Sequence, residues 1–361
     1  MDRVRPLSIE ENVPLAPLTT LGVGGPARFF VSARTEEEVR EALRHASSRG
    51  LDLFILGGGS NILVSDAGFD GMVVRLALEG AYNDSSAADQ DRSPSAEGGR
   101  MIISVGAGED WDGFVEHCVG RDLAGIECLS GIPGSVGGTP VQNVGAYGQE
   151  VSETIVTVRC LDRKTGDIVD LSNRDCRFSY RRSIFNSTVK DRYVVLSVTF
   201  ALRPGGKPKI EYRDLKEYFA GPLPSLNETR RAILNIRGAK SMVIDPNDPN
   251  SKSAGSFFKN PIVPRKKLTE ITTRTRLDPI PYFEAGNDLV KIPAAWLIES
   301  AGFHKGFAMG SAGISTNHSL ALINRGGATA RDILDLKDRI TMAVEDIFEI
   351  QLVPEPVFVG F

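Results

Sequence analysis

Apolar and polar positions alternate with two different periods along the chain. In TEEEVREALRHASSRG (35–50) the apolar residues fall on one helical face and Gly50 closes the run, which predicts an amphipathic helix. LDLFIL (51–56) is a continuous apolar run, predicting a buried strand that leads straight into GGGSN. MIISVGAGEDWDGFVEHCVG (101–120) reads as strand, turn and helix. Between these, residues 82–100 (YNDSSAADQDRSPSAEGGR) are small and polar and read as a mobile excursion between two strands. From 155 to 200 strands dominate, as a hairpin around Lys164–Asp167 and the strand YVVLSVTFALR (193–203). PGGKPK (204–209) reads as a hinge, and LNETRRAILNIRGAK (226–240) as a helix. A Pro-started helix (PAAWLIESAG, 293–302), a strand (LALIN, 320–324) and a long helix follow. That helix repeats apolar residues at Ile333, Leu336, Ile340, Val344 and Ile347, the spacing of one buried face. EPVFVGF (355–361) closes the chain as a short strand.

A length of 361 residues suggests two or three domains. Hydrophobic residues at 41% and charged residues at 24% are those of a globular protein. The net charge of −4 comes without a sustained basic face, which argues against a nucleic-acid partner. The longest basic cluster, PRKKLTE (264–270), reads as a solvated helix start. With no apolar run of about eighteen residues and no apolar core in MDRVRPLSIEENVPLAPLTT, neither membrane insertion nor a signal peptide is expected. Cys118, Cys128, Cys160 and Cys176 form no C-x-x-C pair, so reduced thiols of a cytoplasmic protein are expected. His45, His117, His304 and His318 are scattered, which argues against a metal site.

Two glycine-dense stretches carry candidate chemistry. LGGGSNIL (56–63) follows an apolar strand; its glycines let the backbone approach a ligand, and Ser60 and Asn61 add short polar contacts. LSGIPGSVGGTPVQNVGAYG (129–148) leaves few side chains between backbone and any bound group. Neither is a Walker loop and neither matches G-x-G-x-x-G at the head of a helix. Each alone also reads as a glycine-rich turn without a ligand; two together favour a pyrophosphate-bearing cofactor. A third stretch, SAGSFFKNP (253–261), sets Ser256 between a glycine and two phenylalanines. It lacks a Gly-x-Ser-x-Gly elbow, and no histidine is expected nearby to act as its base, so a hydrolase reading is weak.

LGGGSN, SGIPGSVGG, QNVGAYG, FSYRRSIF and AGSFFKNP, in that order, resemble the UDP-N-acetylenolpyruvoylglucosamine reductase (MurB) family over about residues 19–361. The resemblance implies an α+β protein with a two-subdomain FAD-binding region of the vanillyl-alcohol-oxidase (PCMH) type and a C-terminal α+β substrate-binding domain. The expected division is 1–85 and 86–225 for the FAD-binding subdomains, 226–348 for the substrate domain and 349–361 for a strand returning to the site. The implied activity, in peptidoglycan precursor synthesis, is reduction of the enolpyruvyl group of UDP-N-acetylglucosamine enolpyruvate. The hydride passes from NADPH through non-covalent FAD, and a monomer is expected.

The resemblance sets the cofactor against Gly57, Gly58, Gly59, Ser60 and Asn61 of the first loop. In the second loop it implicates Ile132, Pro133, Gly134, Ser135, Gly137, Gly138, Asn143, Gly145, Ala146 and Tyr147. Hydride addition loads charge onto an anionic group, which calls for a fixed cation or acid there. By resemblance Arg181 meets the substrate carboxylate, Glu355 serves as acid or hydrogen-bond donor, and Ser256 gives a proton to the adjacent carbon. Tyr180, Tyr212, Lys240, Asn260 and Glu299 are the implied substrate contacts. From the residues alone, Arg181 also reads as a β-edge arginine, Glu355 as exposed packing and Tyr212 as a strand tyrosine. The competing functions are a flavin-dependent oxidase of an alcohol or hydroxy acid on the same scaffold, and a non-catalytic flavin- or nucleotide-binding module.

Overall fold

The structure is a computed structural model whose described residues are 7–80 and 99–361, with the backbone of strand Asn83–Ser86. Apart from that strand and residues 99–100, the excursion expected at 82–100 lies outside the described residues. By contact the chain forms two compact units: Met1–Val13, Ala27–Gly58 and Asp70–Ala239 in the first, and Pro14–Pro26, Gly59–Phe69 and Lys240–Phe361 in the second. Helix Leu226–Ala239, placed by sequence at the head of the substrate domain, thus clusters with the first unit.

Beside the short pairing of Gly145–Ala146 with Gln149–Glu150, the described residues of the first unit form two larger sheets. One has the strand order Glu10–Pro14, Pro26–Ala33, Phe69–Leu76, Asp52–Leu56, the last two parallel with Asp52 opposite Gly71. Helix Glu36–Ser48 makes the crossover before Asp52–Leu56; Thr35 accepts from the Glu38 N–H at its start, and Gly50 (φ +62°) ends it as the sequence suggests. The other sheet runs Ile168–Ser172, Ile155–Asp162, Tyr193–Pro204, Met101–Gly106, Asn83–Ser86, all antiparallel. Helix Trp111–Gly120 starts where Asp110 accepts from the Gly113 N–H at 2.8 Å. It buries Trp111 and Phe114 against Phe200, with ring centroids 5.1 to 5.9 Å apart. Helix Leu226–Ala239 buries Leu226, Thr229, Arg230, Ile233 and Arg237, one helical face that carries two arginines.

The second unit is organised by helix Ala330–Phe348. A capping box between Thr329 and Asp332 starts the helix, and Ile333, Leu336, Ile340, Val344 and Phe348 are buried. Phe348, rather than the Ile347 of the expected stripe, closes this face; each such side chain contributes about 1.5–3 kcal/mol when fully buried. Helices Lys266–Thr275 and Ala294–Ser300 pack on it. Two small antiparallel sheets complete the unit, one of Ile262–Pro264, Leu289–Lys291 and Phe283–Glu284, the other of Ala308–Met309, Ala312–Ile314 and Leu322–Asn324. The C-terminal strand Val357–Val359 pairs parallel with Ile62–Val64. All four cysteines are buried and form no disulfide among the described residues, and burial pushes the Cys176 thiol up to about 12. Among the described residues no helix is long and apolar enough to cross a membrane.

Candidate active site

In the first unit the two glycine stretches touch. A Cβ on Gly58 would fall 2.6 Å from Gly134 Cα and 2.9 Å from Ser135 N, and one on Gly57 would fall 2.8 Å from Ser135 Oγ. A Cβ on Gly137 would meet that of Ala107 at 2.6 Å. Glycine is therefore required for loop-on-loop packing itself. The second loop is pinned by Trp111 N–H to Gly134 O, Val136 N–H to Glu109 O and Gly137 N–H to Ala107 O. Amid this network Ser135 Oγ is buried with no hydrogen-bond partner among the described residues. A buried hydroxyl left so is costly unless a bound group completes it.

Beside this loop lies a charged cluster to which the sequence pattern does not point. Arg230 donates to both carboxylate oxygens of Asp112, at 2.6 and 2.9 Å. Burial pushes the Asp112 carboxyl up, but Arg230, the Gly131 N–H and the nearby Arg237 outweigh it, and the net shift is downward. Arg237 Nε donates to Gly131 O at 3.2 Å and its guanidinium hydrogen-bonds Tyr147. Burial pushes its guanidinium down, with Tyr147 and Asp112 opposing. The available signal was the seven-residue spacing of Arg230 and Arg237 on the apolar face of a helix.

Arg181 sits at the tip of a two-residue hairpin turn, since Ser179 and Arg182 exchange both backbone hydrogen bonds, at 2.9 and 3.0 Å. It is not a β-edge residue: its φ is +54°, a left-handed conformation uncommon outside glycine. Asn186 Nδ2 holds the Arg181 carbonyl, and Ser183 Oγ ties the turn to Val141 O of the second glycine stretch at 2.6 Å. The guanidinium lies 5.6 Å from the Tyr180 ring centroid, and its Nη1 would be 3.3 Å from a Cβ on Gly145. Asn143, fully buried at φ +47°, donates to Glu150 and Ser179 O and accepts from the Ser152 N–H. Tyr212 is not on a strand. It precedes helix Arg213–Tyr218, is 42% exposed, and meets Tyr147 edge-on with centroids 5.5 Å apart.

In the second unit SAGSFFKNP is stitched on both sides. Phe257 N–H donates to Leu320 O at 2.8 Å, and Phe257 O accepts from the Glu355 N–H at 2.8 Å. Lys259 N–H reaches Val353 O at 3.0 Å, and Thr20 Oγ1 reaches Ser253 O at 2.6 Å. Phe257 and Phe258 are 0% and 1% exposed, so they anchor the segment, while Gly255 (φ +70°) makes the bend before Ser256. Asn61 Nδ2 holds the carbonyl of Glu355 at 3.3 Å, and Asn61 O accepts from the Val357 N–H at 3.0 Å. Asn260 Oδ1 accepts the Ala294 N–H at 2.8 Å, at the head of helix Ala294–Ser300. Glu299, on that helix, accepts from Ser319 Oγ. Lys240 follows helix Leu226–Ala239 and is half-buried.

One expectation is overturned. Ser256 does have a histidine: His318 Nε2 lies 3.4 Å from its Oγ. The two are 62 residues apart in sequence, and the hydrogen bond from Phe257 to Leu320 is what brings their segments together. Linear spacing carries no trace of such a pairing.

Comparison with known proteins identifies the family. Residues 27–172 match the family of FAD binding domains, and residues 246–359 match the family described as UDP-N-acetylenolpyruvoylglucosamine reductase, C-terminal domain. The FAD-binding match spans both glycine stretches, and the unpartnered Ser135 hydroxyl between them fits a bound cofactor. The chain is 43% identical to a UDP-N-acetylenolpyruvoylglucosamine reductase of Streptomyces coelicolor, over 99% of this chain and 92% of that protein. It is 45% identical to one of Thermobifida fusca, over 98% of each. A crystal structure of the reductase from Thermus caldophilus superposes with a TM-score of 0.64 at 26% identity, covering 98% of this chain and 100% of that one. An α+β chain with an FAD-binding domain followed by this C-terminal domain belongs to the UDP-N-acetylenolpyruvoylglucosamine reductase family.

Proposed function

We propose that this protein reduces UDP-N-acetylenolpyruvoylglucosamine to UDP-N-acetylmuramate, a cytoplasmic step in peptidoglycan precursor synthesis, with NADPH as the source of the hydride. Identity of 43 to 45% to reductases of that name along 98 to 99% of the chain carries the reading. FAD, held non-covalently when bound, supplies the hydride that adds to the methylene carbon of the enolpyruvyl group. The two glycine stretches are assigned to the cofactor, and residues from 240 onward, together with Tyr180, Arg181 and Tyr212, to the substrate.

Once the methylene carbon is reduced, the adjacent carbon bears negative charge shared with the carboxylate. Arg181 binds that carboxylate through its planar fork, and the rigid left-handed turn fixes its direction. Ser256 then gives its O–H proton to the anionic carbon: a C–H bond forms, the O–H bond breaks, and the electron pair stays on Oγ. Glu355, on the segment hydrogen-bonded to Phe257, is the second acid at the carboxylate. Tyr180, Tyr212, Lys240, Asn260 and Glu299 are assigned to the sugar nucleotide.

The test is a spectrum of the purified protein under anaerobic conditions. The yellow absorbance should bleach with NADPH and recover on adding UDP-N-acetylenolpyruvoylglucosamine, and acid precipitation should release all the flavin. Flavin that stays on the precipitate, or bleaching that this substrate does not reverse, would sink the reading.

A further inference from the structure

We propose that His318 is a positioning residue for Ser256: a neutral imidazole whose Nε2–H donates to Ser256 Oγ, so that the serine's own proton is left for the substrate carbon. The proposal rests on the functional reading above, in which Ser256 gives up its proton.

The tautomer follows from the other ring nitrogen. The backbone N–H of Leu320 approaches His318 Nδ1 at 3.4 Å. An amide N–H can only donate, so Nδ1 is the acceptor and the ring proton resides on Nε2. Nε2 is the atom facing Ser256 Oγ at 3.4 Å. This polarity is opposite to that of a serine hydrolase, where a carboxylate accepts from Nδ1–H and leaves Nε2 bare to take the serine proton. Here the ring cannot act as base toward Ser256. It supplies a hydrogen bond to Oγ, and that bond strengthens as the hydroxyl becomes an alkoxide. Catalytic hydrogen bonds of this kind are often long before substrate binds and tighten in the complex.

His318 is held as a fixed donor should be. Ser315 N–H donates to Ala321 O at 2.9 Å and Ala321 N–H to His318 O at 3.1 Å, which closes the turn around it. Thr316 N–H donates to Asn250 Oδ1 at 2.9 Å and Asn317 Nδ2 to Ser241 Oγ at 2.8 Å. The next residue, Ser319, donates to Glu299. Asn250 and Ser241 belong to SMVIDPNDPNSKS (241–253), and through them this stretch anchors the histidine turn. Phe257 N–H to Leu320 O, at 2.8 Å, then sets the distance from that turn to the serine segment.

In the step itself the Ser256 O–H bond breaks and the new C–H bond forms. The electron pair left on Oγ is stabilised by Nε2–H, and Oγ regains a proton from water after product leaves. No proton passes to the ring.

Two measurements test this. In protein labelled with 15N-histidine, NMR should show His318 with the proton on Nε2 and a bare Nδ1; a proton on Nδ1 overturns the proposal, whatever the substrate proves to be. Rapid mixing of NADPH-reduced enzyme with UDP-N-acetylenolpyruvoylglucosamine should show reoxidation slowed roughly 10²-fold in His318→Ala, the usual cost of losing one such donor. His318→Gln keeps an N–H at the Nε2 position and should stay within about fivefold of wild type, while His318→Asn, which cannot reach, should resemble alanine. Flavin reduction by NADPH should change little in all three. Reoxidation at full speed in His318→Asn or His318→Ala overturns the inference alone; wild-type enzyme that this substrate cannot reoxidise overturns the functional reading and the inference with it.

Discussion

The backbone N–H of Glu355 donates to the carbonyl of Phe257 at 2.8 Å, so the acid near the C-terminus and the serine segment run side by side. The same carbonyl-to-amide stitching continues from Lys259 N–H to Val353 O. Ser256 therefore stands on a backbone that is hydrogen-bonded on both flanks, next to buried Phe257 and Phe258. A group that must deliver a proton to one carbon benefits from such fixing, because misplacement by an ångström is costly in rate.

Ser256→Ala should separate the two half-reactions. Flavin reduction by NADPH is expected within about twofold of wild type, and reoxidation by the enolpyruvyl substrate slowed by roughly 10²–10⁴-fold, the range for a lost general acid. Stopped-flow absorbance of each half-reaction checks this, and equal slowing of both would remove Ser256 from the proton-transfer role.

Arg181→Lys keeps the charge but loses the planar fork, and a lysine at φ +54° retains the strained turn. Reoxidation should fall by about 10-fold or more, with FAD content unchanged. A variant with wild-type turnover would leave Arg181 as a structural residue of the hairpin tip.

Gly58→Ala places a methyl 2.6 Å from Gly134 Cα, against backbone that is itself hydrogen-bonded. Overpacking of this kind costs about 1–3 kcal/mol, and bound FAD per mole of protein should fall with it. Gly120→Ala is the control: its Cβ meets nothing within 4 Å at the end of helix Trp111–Gly120, so stability should hold or rise by about 0.5 kcal/mol. Thermal melting and flavin content of the two variants decide it.

The Asp112–Arg230 pair should appear in the acid limb of stability. The folded-state carboxyl is held below the ordinary 3.8. The pair's contribution is therefore complete above that value and is lost as pH falls through the depressed folded value, where the unfolded chain has already taken up its proton. Asp112→Asn should be less stable near pH 7 by roughly 1.5–3 kcal/mol, the worth of hydrogen bonds to a charged group. It should also show a shallower loss between about pH 5 and 2. Urea unfolding across that range compares the slopes; parallel curves would show that the pair contributes nothing.

Much of the local structure was legible in the residues. The crossover helix ended at Gly50, the hairpin turned within the Lys164–Asp167 stretch, and the terminal helix buried its predicted stripe up to Val344, because apolar period and turn residues are local properties. The glycine stretches were legible as sites of close approach, although what approaches Gly58 first is Gly134, part of the protein itself. Three features were not legible. Arg230 and Arg237 belong to no motif that the sequence singles out; in the fold one is a partner of Asp112 and the other a clasp on Gly131. Tyr212 reads as a strand residue until the chain turns into a short helix behind it. Ser256 reads as a serine without a histidine.

By itself, then, the sequence determined the longer helices and strands and the order of five motifs, since apolar periodicity and turn residues act over a few neighbours. Only the tertiary structure decided that segment 59–69 belongs with the C-terminal half and that strand Val357–Val359 pairs with Ile62–Val64. It alone set His318 Nε2 against Ser256 Oγ and the Leu320 N–H against Nδ1. Those choices rest on backbone hydrogen bonds between segments tens to hundreds of residues apart, and such pairings follow from how whole elements pack rather than from the composition of either partner.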